Sequence, residues 1–313
     1  MNINTQKCIQ WIKDYYKDNP RGKAIIGISG GKDSTVAAAL CVEALGASRV
    51  VGVLMPNGAQ PDITDSYRVC NELGIDPIEI NIWNICKAFN SAATDGDDPS
   101  IFENPMVKTN LPARVRMTVL YMVAAFYPNS RVVNTCNRSE DYVGYSTKFG
   151  DAAGDFSPLG KLTVREILEI GDDLGLPYDL VHKTPSDGMC GKSDEDNLGF
   201  SYKELDDFLL GTGPVSEETM EKIGKLHKST RHKYEPMPMF NPSEVIIDFM
   251  QMSLFDYDKQ LQRGMRAGTG AIDDSGAFTV DPYYQHCTTP AQATAEDVIK
   301  AIEEATRRVG VRM

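Results

Sequence analysis

No stretch of this chain is long and apolar enough to suggest a membrane span, and its first residues, MNINTQKCIQWIKDYY, lack the apolar core of a secretory signal. Paired cysteines are missing as well: Cys8, Cys41, Cys70, Cys86, Cys136, Cys190 and Cys287 are scattered, with no CxxC among them. An odd, dispersed set excludes a disulfide framework and a cysteine zinc site, and fits reduced thiols in a cytoplasmic protein. Histidine is scarce, four in 313 residues, and none stands in a metal-ligand spacing. Excess positive charge is absent too. The formal net charge is −12, which argues against a duplex-binding surface, because that needs a basic footprint. What remains is an acidic chain, 42% hydrophobic, long enough for one large domain or two unequal ones.

The pattern is organised around Ile25–Ser34, IIGISGGKDS. An apolar run from Ala24 to Ile28 ends in Ser29-Gly30-Gly31, and an alanine-rich helical stretch follows at once. Two glycines let successive backbone N–H groups point into one concavity, and the positive end of the following helix adds to that field. Such a loop cradles a pyrophosphate. The spacing is not that of GxxxxGK[ST], because Asp33 follows Lys32. A carboxylate placed where anions bind makes sense if a divalent cation sits between Asp33 and the phosphates.

Further strands are expected at Val50–Met55, Pro77–Ile82 and Arg131–Cys136, alternating with helices at Asn2–Lys17, Asp33–Gly46, Asp62–Leu73, Asn84–Ala93 and Leu111–Tyr127. In the first helix Ile3, Cys8, Trp11, Ile12 and Tyr15 fall near one face. Alternation of this length predicts an α/β fold, a doubly wound parallel sheet with flanking helices. Thr94–Pro105 reads as a loop, Arg138–Lys161 as irregular binding chain, and Pro185–Asn197 as a polar flap. Capping boxes at Thr163–Glu166 and Ser201–Glu204 open two later helices, and a further helix is expected at Ser216–Lys228.

Four more stretches fall where strands of such a sheet end. Pro56-Asn-Gly-Ala-Gln60-Pro-Asp62 offers backbone and Gln60 to an adenosine. Arg114 and Arg116 lie early in a helix, an unfavourable place for cations unless anions are near, and two residues apart they face different directions. Thr135 and Glu140 follow the fourth strand; Glu140 is either a helix cap or, with Asp33, a second magnesium carboxylate. Lys148 and Asp151, between Tyr145 and Phe149 in a glycine-bounded segment, could hold a flat ring. His232-Lys233 are solvated basic residues or partners of a phosphate.

These motifs, SGGKDS, PNGAQPD, N-x-x-AR-x-RM, N-x-x-E-x-x-x-GY-x-T-K-F-GD, PSD with SDEDNLGFSY, and HK-x-x-P, resemble the NAD synthetase family, specifically its ammonia-dependent branch, over roughly residues 1–240. The loop itself is similar to that of the PP-loop ATP pyrophosphatases, and the implied fold is adenine nucleotide alpha hydrolase-like. The resemblance implies that ATP adenylates the nicotinate carboxylate of deamido-NAD, releasing pyrophosphate, and that ammonia displaces AMP. It implies catalytic roles for Asp33, Glu140 and Lys233, with Mg2+ on Asp33 and Glu140. ATP contacts are implied for Ser29, Gly30, Gly31, Lys32, Asp33, Ser34, Gln60, Thr135, Lys161 and Ser186. Deamido-NAD is implied to meet Asn110, Arg114, Arg116, Tyr145, Lys148, Asp151, Asp155, His232 and Lys233, with Asp187 beside Ser186 in the flap. Two positions depart from the family, which commonly has an arginine where Leu54 stands and a lysine where Val164 stands; Lys161 is a substitute for the latter.

Only about twenty residues precede the first strand, too few for a glutaminase domain, so free ammonia or a separate glutaminase is expected. A homodimer with its site at the interface is implied, without nucleic acid or membrane as partner. The family pattern covers 1–238; residues 239–313 form a C-terminal extension, with a loop at Gly264–Gly276 and an amphipathic helix carrying Ile299 and Ile302. The alternatives are another PP-loop pyrophosphatase, such as an amidotransferase synthetase or a tRNA-modifying enzyme, and a non-catalytic nucleotide-binding regulator.

Overall fold

Four strands, β1 (Ala24–Gly27), β2 (Val50–Leu54), β3 (Pro77–Glu79) and β4 (Arg131–Val132), make a sheet in the order β3-β2-β1-β4. All its pairings are parallel, with Ala24 opposite Val50 on one side and Arg131 on the other. The computed structural model describes residues 1–94, 99–183, 194–240, 271–272 and 278–279.

Successive residues of a strand point to opposite faces, and here both faces are covered. Ala24, Ile26, Val50 and Leu54 pack in one cluster, against α1 (Ile3–Tyr15), α2 (Lys32–Leu45), α3 (Ile63–Leu73) and α7 (Val164–Asp173). Ile25, Val51, Val53 and Val132 pack in another, against α5 (Pro105–Phe126) and Cys86 of α4 (Trp83–Thr94). That double burial explains why the strands read as unbroken apolar runs rather than alternating ones. Ile25, Ile26 and Leu54 are fully buried, each contributing about 1.5–3 kcal/mol of transfer free energy. A third cluster, with Val143, Val164, Tyr202, Leu205 and Ile223, joins α6 (Arg138–Val143), α7, α10 (Tyr202–Leu210) and α11 (Glu217–Thr230) beyond the sheet. Of the short helices, α8 (Tyr178–Val181) places Leu180 in the first cluster and α9 (Asp194–Leu198) sets Leu198 against the third.

Four expectations change. The buried face of α1 is Thr5, Ile9, Ile12 and Tyr16, while Ile3, Trp11 and Tyr15 are exposed; the true stripe follows helical spacing more closely than the expected one. The long helix starts at Pro105, capped by the Asn104 side chain, and carries Pro112 inside it. Arg114 and Arg116 therefore sit in mid-helix, beyond the reach of the positive field at the helix N-terminus. The fourth strand is only Arg131–Val132, although the Val133 N–H still donates to the Ile25 carbonyl of β1 at 2.9 Å. On the opposite edge Val133 bridges in parallel to Phe156, and the Asn134 N–H donates to the Phe156 carbonyl at 2.9 Å. The irregular chain after α6 thus returns to the sheet and covers the outer edge of β4.

Residues 1–237 form one unit and 238–313 a second. Within the second, β5 (Ala271–Ile272) pairs antiparallel with β6 (Phe278–Thr279), so the expected loop at Gly264–Gly276 contains a short strand. Ile, Phe and Thr favour a pleated strand. The helix expected around Ile299 and Ile302, like the flap at Ser186 and Asp187, lies outside the described residues.

Candidate active site

The loop between β1 and α2 is almost bare of side chains. Gly30 takes φ +78°, and a Cβ there would lie 2.8 Å from the Cβ of Asp65 on α3, so both conformation and space require glycine. Ser29 Oγ and Ser34 Oγ are 3.0 Å apart, and the Gly31 N–H donates to Ser29 Oγ at 3.3 Å. The N-cap of α2 is Gly31, which supplies no side-chain acceptor. The first-turn N–H groups are left for an anion.

Asp33 and Glu140 are brought together here, with Asn137 of the Glu140 segment reaching Asp33 across 104 residues of sequence. Lys32 Nζ lies 2.8 Å from Asp33 Oδ2 and 3.9 Å from Glu140 Oε1. Asn137, fully buried, ties the two acids together. Its side-chain amide donates to Asp33 Oδ1 at 3.0 Å and its backbone N–H to Glu140 Oε2 at 3.4 Å. Its own Oδ1 accepts from the Glu140 N–H at 2.9 Å, which completes a capping box on α6. Glu140 is thus both a helix cap and an acid facing Asp33. Burial and the neighbouring Asp33 push its carboxyl well above the usual range, and Lys32 opposes them. For Lys32, burial lowers the ammonium's pKa, but Asp33 and Glu140 outweigh it and hold it above the ordinary lysine value.

Below this, the buried Asp206 of α10 accepts from Ser139 Oγ at 2.6 Å and from the Arg165 N–H at 2.8 Å. One carboxylate therefore serves the starts of both α6 and α7, although burial raises its pKa.

At the ends of β2 and β3, Gln60 lines a cavity of about 390 Å³ with Pro56, Gly58, Ile63, Glu79 and Asn81. Thr135 is half-buried past the end of β4, and Lys161 is exposed, acting on Asp141. On α5 the arginines diverge as expected: Arg114 Nε donates to the Lys148 carbonyl at 3.3 Å, and Arg116 Nε to the Met55 carbonyl at 3.1 Å. Burial lowers the pKa of Arg116. Asn110 Oδ1 accepts from Thr147 Oγ1 at 2.8 Å, pinning the glycine-bounded segment to α5. Lys148 donates to the His232 carbonyl, while Asp151 accepts from the Thr147 N–H at 2.9 Å. Asp155 Oδ2 accepts from the Val132 N–H at 2.7 Å and Oδ1 from the Tyr121 hydroxyl at 3.2 Å, so it also closes the edge of β4. Lys233 Nζ donates to the carbonyls of Gly144 and Ser146 at 2.7 and 2.9 Å, and burial lowers its pKa. A second cavity of about 510 Å³ lies beside it, lined by Tyr145, Asn197, Leu226 and Thr230.

Several site residues were not apparent from sequence. Asn137 carried one signal, its N-x-x-E spacing to Glu140. Asp194 and Tyr202 stand in the SDEDNLGFSY stretch, which assigns them no role: the Tyr145 hydroxyl donates to Asp194 Oδ1 at 3.2 Å, and Lys32 lies 5.4 Å from the Tyr202 ring centroid. Glu79 and Asn81 follow only from where β3 ends. Lys183 reaches Asp65 Oδ2 at 2.6 Å, beside Gly30.

A family profile described as NAD synthase matches residues 4–237. The chain is 37% identical over 248 residues to the NH(3)-dependent NAD(+) synthetase of Pyrococcus furiosus, an alignment covering 74% of this chain and 93% of the relative. Among solved structures, an NMN synthetase from Francisella tularensis superposes with a TM-score of 0.69 at 34% identity, covering 76% of this chain and 97% of that one. An NH3-dependent NAD synthetase from Campylobacter jejuni gives 0.60 at 27% identity, with coverages of 76% and 97%.

Proposed function

The chain belongs to the NAD synthase family, and from that premise we propose that it amidates deamido-NAD with ammonia, consuming ATP and releasing AMP and pyrophosphate. The observation that carries this reading is the convergence of Asp33 and Glu140 on one point beside the Ser29–Ser34 loop.

The donor set fits a divalent cation. Two half-buried carboxylates face the same ammonium, which stands where a cation is called for, and magnesium prefers one or two carboxylates completed by phosphate oxygens. Mg2+ held by Asp33 and Glu140 would neutralise charge on the phosphates as pyrophosphate departs. The chain's own groups do the rest. Loop amides with Ser29 and Ser34 bind the phosphates, Gln60 and its cavity receive the adenosine, and Thr135 and Lys161 complete the nucleotide site. Asn110, Arg114, Arg116, Tyr145, Lys148, Asp151, Asp155 and His232 orient deamido-NAD so that its carboxylate approaches the α-phosphorus in line. Lys233, tethered to Gly144 and Ser146, supplies positive charge beside the departing group.

A homodimer is part of this proposal. Tyr121, Met122 and Phe126 on α5 are exposed and continue to Trp11 and Tyr15 of α1, since both Tyr15 and Tyr121 hydroxyls reach Asp155. The described cysteines are all free, which supports a reducing, cytoplasmic setting. No helix among the described residues is long and apolar enough to cross a membrane.

The test is an assay with ATP, Mg2+, ammonium and deamido-NAD, run in parallel with glutamine as donor and with the carboxylate precursor of NMN as acceptor. NAD and AMP are expected from ammonium and deamido-NAD. Formation of ADP would overturn the assigned cleavage, and preference for the mononucleotide would reassign the substrate.

A further inference from the structure

Lys32 is an unusual member of a phosphate-binding loop. Its side chain is folded back into the protein, only 6% exposed, rather than extended over the loop. The ammonium donates to Asp33 at 2.8 Å, stands 3.9 Å from Glu140, and lies over the Tyr202 ring at 5.4 Å. Asp194, itself buried, accepts from the Tyr202 hydroxyl at 3.5 Å and acts on the same charge. A buried charge persists only where it is paired, and this one is paired with the two acids assigned above to the divalent cation.

We propose that Lys32 is a built-in counter-ion that occupies the divalent-cation position in the nucleotide-free protein and makes metal binding conditional on nucleotide. The inference rests on the reading of Asp33 and Glu140 as metal ligands. Its logic is electrostatic. A divalent cation at the two acids and an ammonium within hydrogen-bond distance of one of them repel each other, so one must leave before the other settles. Without nucleotide the ammonium is surrounded by Asp33, Glu140, an aromatic face and, farther off, Asp194, and no phosphate draws it away. Phosphates arriving on the loop change both sides of that balance. They offer the ammonium new anionic oxygens, and they supply the remaining ligands a magnesium-like ion needs. Metal and nucleotide then bind synergistically, each raising the affinity of the other by the same factor. Between turnovers Lys32 keeps the two carboxylates from repelling each other apart, so the site retains its shape.

The experiment measures Mn2+ binding by electron paramagnetic resonance and water-proton relaxation, which separates protein-bound from free manganese nucleotide. Nucleotide-free wild type, Lys32→Gln and Lys32→Arg are compared, with and without α,β-methylene-ATP. Lys32→Gln is expected to bind Mn2+ at least about tenfold more tightly than wild type without nucleotide. Lys32→Arg, which keeps the charge, should behave as wild type, and Asp33→Asn added to Lys32→Gln should remove the new site. In wild type the analogue should raise Mn2+ affinity by a similar factor. Tight Mn2+ binding by nucleotide-free wild type would overturn the proposal without recourse to any variant, as would equal affinities in wild type and Lys32→Gln. Absence of protein-bound Mn2+ under every condition, analogue included, would instead overturn the metal reading itself.

Discussion

Asn137 does with one side chain and one backbone N–H what two separate residues do in most sites: it sets the positions of both acids. Asn137→Ala removes the donor to Asp33 and the N-cap of α6 together. Loss of about 1–2 kcal/mol of stability is expected in urea unfolding, with NAD formation lowered about tenfold or more. Asp33→Asn keeps the shape but not the charge. The circular dichroism spectrum should stay near wild type, while the unfolding midpoint should fall because the buried Lys32 ammonium loses its nearest partner. NAD formation should fall by about 10³-fold; a near-normal rate would remove Asp33 from the metal site. A pH effect belongs to Asp207. Hydrogen bonds from Arg165 and Lys203 hold its carboxyl well below the usual range. Between that depressed value and the ordinary Asp pKa of about 3.9, the unfolded chain binds more protons than the folded one. Stability from this group is therefore complete above the ordinary pKa and lost as pH falls through the folded one. Asp207→Asn should lower the melting temperature at pH 7, and the gap to wild type should narrow as pH drops below 4 in thermal scans; a constant gap would refute the pairing as its cause.

At the scale of elements, α7 packs so closely on its neighbours that Gly171 leaves no room. A Cβ there would stand 2.7 Å from Val181 Cγ1 on α8 and 3.2 Å from Val36 Cγ2 on α2. Helix propensity favours alanine by about 1 kcal/mol, but overpacking costs about 1–3 kcal/mol. Val181 is fully buried and cannot swing away. Gly171→Ala should thus be net destabilising in urea, and should couple favourably with Val181→Ala in a double-mutant cycle. The elements themselves were largely legible, because β1, β2, α2 and α7 announce themselves through local signals: apolar runs, a Gly-Gly turn, a Thr163–Glu166 box. The errors lie where tertiary context decides. Nothing local says that Val133 will pair with Phe156, or that a proline will be accommodated inside α5. The site divides along the same line. Asp33 and Lys32 sit in one contiguous motif and Asp194 and Tyr202 in another, SDEDNLGFSY, but nothing local says that the two meet.

For the molecule as a whole, the apolar strip running from Trp11 and Tyr15 to Met122 and Phe126 is the surface expected to meet a second copy. Met122→Glu, on an exposed position outside the quoted motifs, should convert a dimer to a monomer in light scattering coupled to gel filtration, with the monomer still folded. A wild-type monomer at micromolar concentration would dismiss the assembly.

Asp206 sits under all of this, accepting from the start of α6 and the start of α7 at once. Neither a nucleotide nor a dinucleotide would touch it, yet the acid next to Ser139 depends on where that helix begins. A genetic screen for inactive alleles would therefore recover Asp206 beside Asp33, and only a count of folded molecules would tell the two lesions apart.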